Sequence, residues 1–298
     1  MEEFYLDANE NAKLCVRLYR AENPKAVVQV LHGMCEHQGR YEYFANILVK
    51  HGFIVVTSDM RGHGRSIKDS SELGYFGKNG EKNLIDDQVI INTFIKNNFP
   101  ELKVYMFAHS MGTLIARNFL KEHDNLIDKL VLSGAPYFSN LANFGKIITG
   151  IVKNVSGRKN RSKLLKNILF SAIPKSQRID NSWISYDLEN IQNYNNDNMC
   201  GFMFTNEGYD TLAKLDADLV KYKEYKVKNK DLPILFLSGE EDIIVGGAKN
   251  LSESVKTLLK VGYKNVSSKV YSNMKHEIIN EANKDIVISD ILNAFNFS

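Results

Sequence analysis

The sequence predicts an α/β chain: a mostly parallel sheet with helices on both faces and a helical insertion above it. Three observations predict it. Short apolar, β-branched segments recur without polar alternation, as strands buried on both faces require. Helix-like segments separate them, so successive strands are joined by crossovers and run parallel. The rhythm then breaks after residue 137 and resumes only at LPILFLSG (232–239), so the gap of about 137–205 reads as the insertion.

The elements follow in order. CVRLYR (15–20) and AVVQVLH (26–32) are predicted strands, short and bounded by polar or Pro positions. Residues 41–51 are a predicted helix ended at Gly52, and FIVVTSD (53–59) is a buried strand. A helix over 81–98 stops before Pro100. KVYMFAH (103–109) is a buried strand that runs into a helix from Met111 to about His123, followed by the strand DKLVLSG (128–134). After the gap come a helix over about 209–227, the strand 232–239, a helix over 248–260, a strand at 265–271 and a C-terminal helix at 284–297. The expected division is a core in two parts, 1–136 and 206–298, with a helical cap at 137–205.

Composition narrows the class. A chain of 298 residues, 44% hydrophobic and 24% charged, carries enough apolar surface for one large core. A net charge of +3 does not imply nucleic acid, and none is expected as a partner. The N-terminal MEEFYLDANE lacks a basic stretch followed by an apolar run, so no secretory signal is expected. Cys15, Cys35 and Cys200 are odd in number and widely spaced, fitting neither a disulfide framework nor a zinc site. The expectation is a cytoplasmic protein without metal or cofactor.

The chemistry centres on Phe107-Ala108-His109-Ser110-Met111-Gly112. A serine between a buried strand and a helix sits on a sharp turn with its hydroxyl exposed at the sheet's C-terminal edge, the geometry of the G-x-S-x-G nucleophile elbow of α/β-hydrolases. Here Ala108 replaces the first glycine and is small enough for the turn. The alternative is that Ser110 simply caps the helix. A serine hydroxyl needs a base, and the partners on this fold follow in the order Ser, Asp or Glu, His. His276 is the candidate base, because it follows the strand 265–271, whereas His123 lies at the far end of the helix after Ser110. Asp242 is the preferred acid, with Glu240 and Glu241 as alternatives. The oxyanion needs two N–H donors, assigned to the backbones of Met111 and Met34, the latter in the loop His32–His37. Cys35 lacks an elbow and is not expected to be a nucleophile. The glycine-rich DMRGHGRS (59–66) fits no phosphate-binding spacing and reads as a tight turn, and Asp59 precedes Ser110, the wrong order for the acid.

Taken together, these residues resemble the monoacylglycerol lipase and lysophospholipase branch of the α/β-hydrolases. The matches are His32-Gly33-Met34-Cys35-Glu36-His37 with Gly39-Arg40-Tyr41, then Asp59–Ser66, His109-Ser110-Met111-Gly112, Gly239 with Asp242 and Val245, and Lys275-His276-Glu277. Trp183–Asp187 with Cys200-Gly201-Phe202 resembles a cap stretch of bacterial lysophospholipases. The resemblance implies a cap, no cofactor, and hydrolysis of lipid monoesters. Short-chain carboxylesterases, thioesterases, peptidases and a non-catalytic binding protein are the alternatives; dehalogenases and epoxide hydrolases carry Asp at the elbow.

The insertion has its own signal. Residues 138–179 hold nine basic residues (Lys146, Lys153, Arg158, Lys159, Arg161, Lys163, Lys166, Lys175, Arg178) and no acidic one, leaving the rest of the chain net acidic. Apolar residues recur at helical spacing: Leu141, Phe144, Ile148, Ile151 and Val155, then Leu164, Leu165, Ile168, Leu169 and Ile173. Two expectations follow: the stripe packs down as a lid, or a basic amphipathic surface meets an anionic membrane.

Overall fold

The computed structural model describes residues 1–137 and 142–296. Eight strands form one sheet in the order β1-β2-β4-β3-β5-β6-β7-β8. They are β1 (Glu2–Ala8), β2 (Ala12–Tyr19), β3 (Ala26–Leu31), β4 (Phe53–Ser58), β5 (Lys103–His109), β6 (Lys129–Ser133), β7 (Ile234–Gly239) and β8 (Val266–Tyr271). The β1–β2 hairpin pairs antiparallel onto β4, and all other neighbours are parallel.

Strands β3, β4 and β6 are buried at every position, which is why they lack alternation. Their side chains still divide by face. Val27 and Leu31 of β3 enter a core shared with α2 (Gly80–Asn98), α3 (Met111–His123) and α9 (Gly247–Val261). Val28 and Val30 enter a second core with α1 (Glu42–Lys50) and α10 (Lys284–Asn296), built on Phe44, Phe107, Ile288 and Phe295.

Three expectations change. Strand β1 was not predicted, because its acidic, alternating sequence shows only a weak signal; Phe4, Leu6 and Ala8 supply the face that packs on the core. The helix expected over 209–227 is α8 (Asn206–Asp218) followed by a separate 3-10 turn at Tyr222–Glu224. Asp216 and Asp218 lie in its last turn with no basic residue, where the helix dipole disfavours acids.

The third change concerns the insertion, which holds α4 (Ala142–Ser156), α5 (Lys163–Leu169), α6 (Lys175–Asp180) and α7 (Leu188–Asn196). Leu141 and the side chain of Phe144 lie outside the described residues. Helix α4 divides its apolar residues between an inner and an outer side. Thr149 and Lys153 are buried against α8, with Thr149 Oγ1 donating to Asp210 at 2.9 Å and Lys153 Nζ at 2.5 Å from the other Asp210 oxygen. Ile148 and Val152 reach the core, but Ile151 and Val155 are exposed, and so is Ile147. In α5, Leu165 is buried while Leu164, Ile168 and Leu169 are exposed, and Ile173 beyond it is buried. Lys153 and Arg158 are ion-paired with Glu207 and Asp210, so part of the basic charge is neutralised from the core.

Candidate active site

The register β3-β5-β6-β7-β8 brings the strand ends, and the loops that leave them, to one edge. At the end of β5, Ser110 has φ 51° and ψ −118°, a conformation L residues rarely hold, costing on the order of 1–3 kcal/mol. Its N–H is held by the Ser133 carbonyl at 2.9 Å. Ser110 occupies the N-cap position of α3 but makes no side-chain cap bond, so the simple capping alternative fails. A Cβ on Gly112 would lie 2.7 Å from the His32 carbonyl oxygen; only glycine lets α3 start so close to β3.

The free hydroxyl meets His276. Ser110 Oγ lies 2.8 Å from His276 Nε2, and His276 Nδ1 lies 2.9 Å from Asp242 Oδ2. The other Asp242 oxygen accepts the N–H groups of Ile244 and Val245 at 2.9 and 3.1 Å, which orients the carboxylate. Of the three candidate acids Asp242 is buried, while Glu240 and Glu241 are exposed and Glu241 accepts the Tyr186 hydroxyl. With Nδ1–H donated to Asp242, Nε2 is left to receive the serine proton. Burial would push the His276 imidazole down, but the charge and hydrogen bond of Asp242, with Glu277 and Glu36 adding, hold it above its ordinary value. His109, whose ring centroid is 4.7 Å from that of His276, goes the other way: burial, reinforced by His276, pushes it down to about 4.

The loop after β3 is locked by its neighbours. The Gly33 N–H donates to Glu36 Oε1 and the Cys35 N–H to His63 Nε2 at 3.3 Å. Met34, between them, donates to no described residue, and Met111 opens α3, where a helical N–H has no internal acceptor. His32 accepts the Met60 N–H at Nε2 and donates from Nδ1 to the Gly33 carbonyl. Burial pushes both His32 and His63 below their ordinary values, so they are neutral, fixed supports.

A buried ionic cluster ties this loop to the loop of His276. Arg40 bonds both oxygens of Glu277 at 2.6 Å and Glu36 Oε2 at 2.8 Å, and Tyr41 donates to Glu36 at 2.8 Å. Asn190 of α7 accepts from Arg40 and donates to Glu277, each at 2.8 Å. Burial works against ionising Glu277, but Arg40 holds its carboxyl down at about 2. The signal was present in the motif His32–Tyr41, but pairing over 237 residues of chain separation is invisible to local reading.

Other candidates lie elsewhere or are occupied. Cys35 is buried, its thiol donates to the Phe202 carbonyl at 2.9 Å, and burial pushes that thiol up, away from a nucleophilic thiolate. The turn 59–66 wraps its own anion: Asp59 accepts the N–H groups of Gln38 and Arg65 at 2.8 Å. His37, Asp197 and Cys200 place ligand-type atoms within 4.8 Å of one another. His37 Nδ1, however, accepts the Gly39 N–H, so Nε2 carries the proton given to Asp197 and has no lone pair for an ion.

The fold and this site define a serine hydrolase of the α/β-hydrolase class. Residues 22–283 match the model of the serine aminopeptidase S33 family of hydrolases, and the chain belongs to that family. The monoacylglycerol lipase of Mycolicibacterium smegmatis is 26% identical over 90% of this chain and 87% of its own length. The probable lysophospholipase L2 of Haemophilus influenzae is 26% identical over 98% and 90%. The solved structure of a thermostable carboxyl esterase from Bacillus coagulans, complexed with glycerol, superposes with a TM-score of 0.90 at 24% identity, covering 99% of this chain and 97% of that one. No described helix is long and apolar enough to cross a membrane.

Proposed function

We propose that the protein hydrolyses lipid monoesters, a monoacylglycerol or a lysophospholipid, through a Ser110–His276–Asp242 triad and an acyl-enzyme. Ser110 Oγ attacks the ester carbonyl while His276 Nε2 takes its proton and Asp242 stabilises the imidazolium. The Met34 and Met111 amides hold the oxyanion. The alcohol leaves with the proton from His276, and water frees the fatty acid by the reverse sequence.

The observation that carries the lipid half of this reading is α4. The described residues of the segment 137–205 act as a cap, and α4 carries an apolar outer side: Ile147, Ile151 and Val155 are 59%, 58% and 82% exposed, one turn apart. Exposed Lys163 and Lys175 lie on the same insertion as exposed Leu164, Ile168, Leu169 and Ile179. Such a surface docks on anionic bilayers and draws single-chain esters from them. The three cysteines are unpaired, in keeping with a protein that meets the bilayer from the reducing cytoplasmic side. The relatives named monoacylglycerol lipase and lysophospholipase support the same substrate class.

The family description favours a second reading, an aminopeptidase. That activity needs a carboxylate for the substrate's free amine, and of the carboxylates buried near His276, Asp242 is held by the imidazole while Glu36 and Glu277 are engaged by Arg40.

The test is fatty-acid release from a long-chain monoacylglycerol by wild type and Ser110→Ala, with a short-chain nitrophenyl ester in parallel. Release by wild type alone supports the lipid reading; cleavage of the short ester only removes it and leaves the triad. Vesicle co-sedimentation tests the docking, and equal binding to neutral and anionic vesicles removes its electrostatic part.

A further inference from the structure

The only tryptophan of the chain, Trp183, lies in the insertion between α6 and α7 and rests on His276, with ring centroids 5.3 Å apart and planes at 35°. The contact is registered on both sides by hydrogen bonds. Lys275, before His276, donates its Nζ to the carbonyl of Ser182, before Trp183, at 2.6 Å. Glu277, after His276, donates its N–H to the carbonyl of Ile184, after Trp183, at 2.8 Å. The insertion thus aligns residue for residue with the loop of the base. Phe170 backs the indole at 6.0 Å, and His109 lies against the imidazole at 4.7 Å.

We propose that Trp183 is a positioning residue for the base, whose indole covers His276, fixes its ring plane and stabilises the imidazolium that forms as Ser110 attacks. This rests on the triad reading above. A cation within about 6 Å of an indole centroid is attracted by the ring's negative face. The remaining groups around the imidazole are Asp242 after β7, Ser110 and His109 at the end of β5, Glu36 after β3, and Glu277 and Lys275 on its own loop. Trp183 is the group that the insertion itself supplies, so any movement that lifts 182–184 also uncovers the base.

Two measurements test this. The first reads emission of the single tryptophan against pH. A nearby imidazolium quenches indole, so wild-type emission should fall through the midpoint that limits kcat/KM on the acid side, and His276→Gln should be flat over that range. His109, at about 4, titrates well below. The second compares Trp183→Leu and Trp183→Phe on a short nitrophenyl ester, which needs no lipid docking. Trp183→Leu should lower kcat about tenfold with little change in KM, and should move the acid midpoint down by roughly half a pH unit. Trp183→Phe should recover most of both. Wild-type emission that ignores the His276 titration overturns the contact. An unchanged or raised midpoint in Trp183→Leu overturns the positioning role. Emission that tracks His276 in a protein cleaving no ester would leave the contact standing and remove the triad reading instead.

Discussion

Helices α3 and α4 are of similar length, and the protein covers them to different extents. Helix α3 is buried from Met111 to Lys121, because it lies between the sheet and α8 and starts at the elbow. Helix α4 has the apolar spacing of a core helix, yet beside Ile148 and Val152, which reach the core, it turns Thr149 and Lys153 onto Asp210 and Glu207 of α8 and leaves Ile147, Ile151 and Val155 outside. Periodicity locates an apolar stripe; it does not say which side meets the protein. That choice is made by the partner surface, and α8 offers α4 two buried carboxylates, which demand a cation before they accept a methyl group.

The sharpest break of this comparison is at the elbow. Ser110→Ala should reduce kcat/KM by about 10⁴-fold or more, and Asp242→Asn by about 10⁴-fold through the wrong imidazole tautomer, with stability almost unchanged. Active-site titration with a fluorophosphonate probe reads the first directly: wild type labels and Ser110→Ala does not. In wild type the acid limb of kcat/KM should lie above the ordinary imidazole value of 6.5, because the base works neutral and Asp242 favours its charged form.

The ionic cluster beside the elbow comes next. Arg40→Met leaves Glu36 and Glu277 buried without their cation and should cost about 3–5 kcal/mol in urea unfolding. The pH dependence has a definite sign. A carboxyl held at about 2 in the folded protein contributes stability that is complete above its unfolded value of 4.5 and is lost as pH falls toward 2. Wild type should lose stability along that arm, and Arg40→Met should lose less.

The insertion gives the two smaller effects. Lys153→Met removes one of several partners of Asp210, which keeps Thr149 and Lys214, and should cost about 1–3 kcal/mol. Ile151→Asp, on the outer side of α4, should change stability by less than about 0.5 kcal/mol. It should weaken sedimentation with anionic vesicles several-fold while leaving short-ester turnover intact. A large stability loss from Ile151→Asp with none from Lys153→Met would reverse the assignment of α4's two faces.

The sequence by itself determined seven of the eight strands, the core helices between them and the candidate reacting groups. Buried parallel strands write uninterrupted apolar runs, and an elbow must join a strand to a helix through small residues, so β5, Ser110 and α3 were legible from adjacent positions. His276 and Asp242 followed from chain order and from loops at strand ends. Tertiary structure alone decided three things: which residues of α4 face the protein, that Arg40 joins Glu36 to Glu277, and that Trp183 lies against His276. Each depends on groups far apart in the chain meeting in a dry interior, where a charge or a ring is valued by what lies against it. No local pattern of residues carries that information.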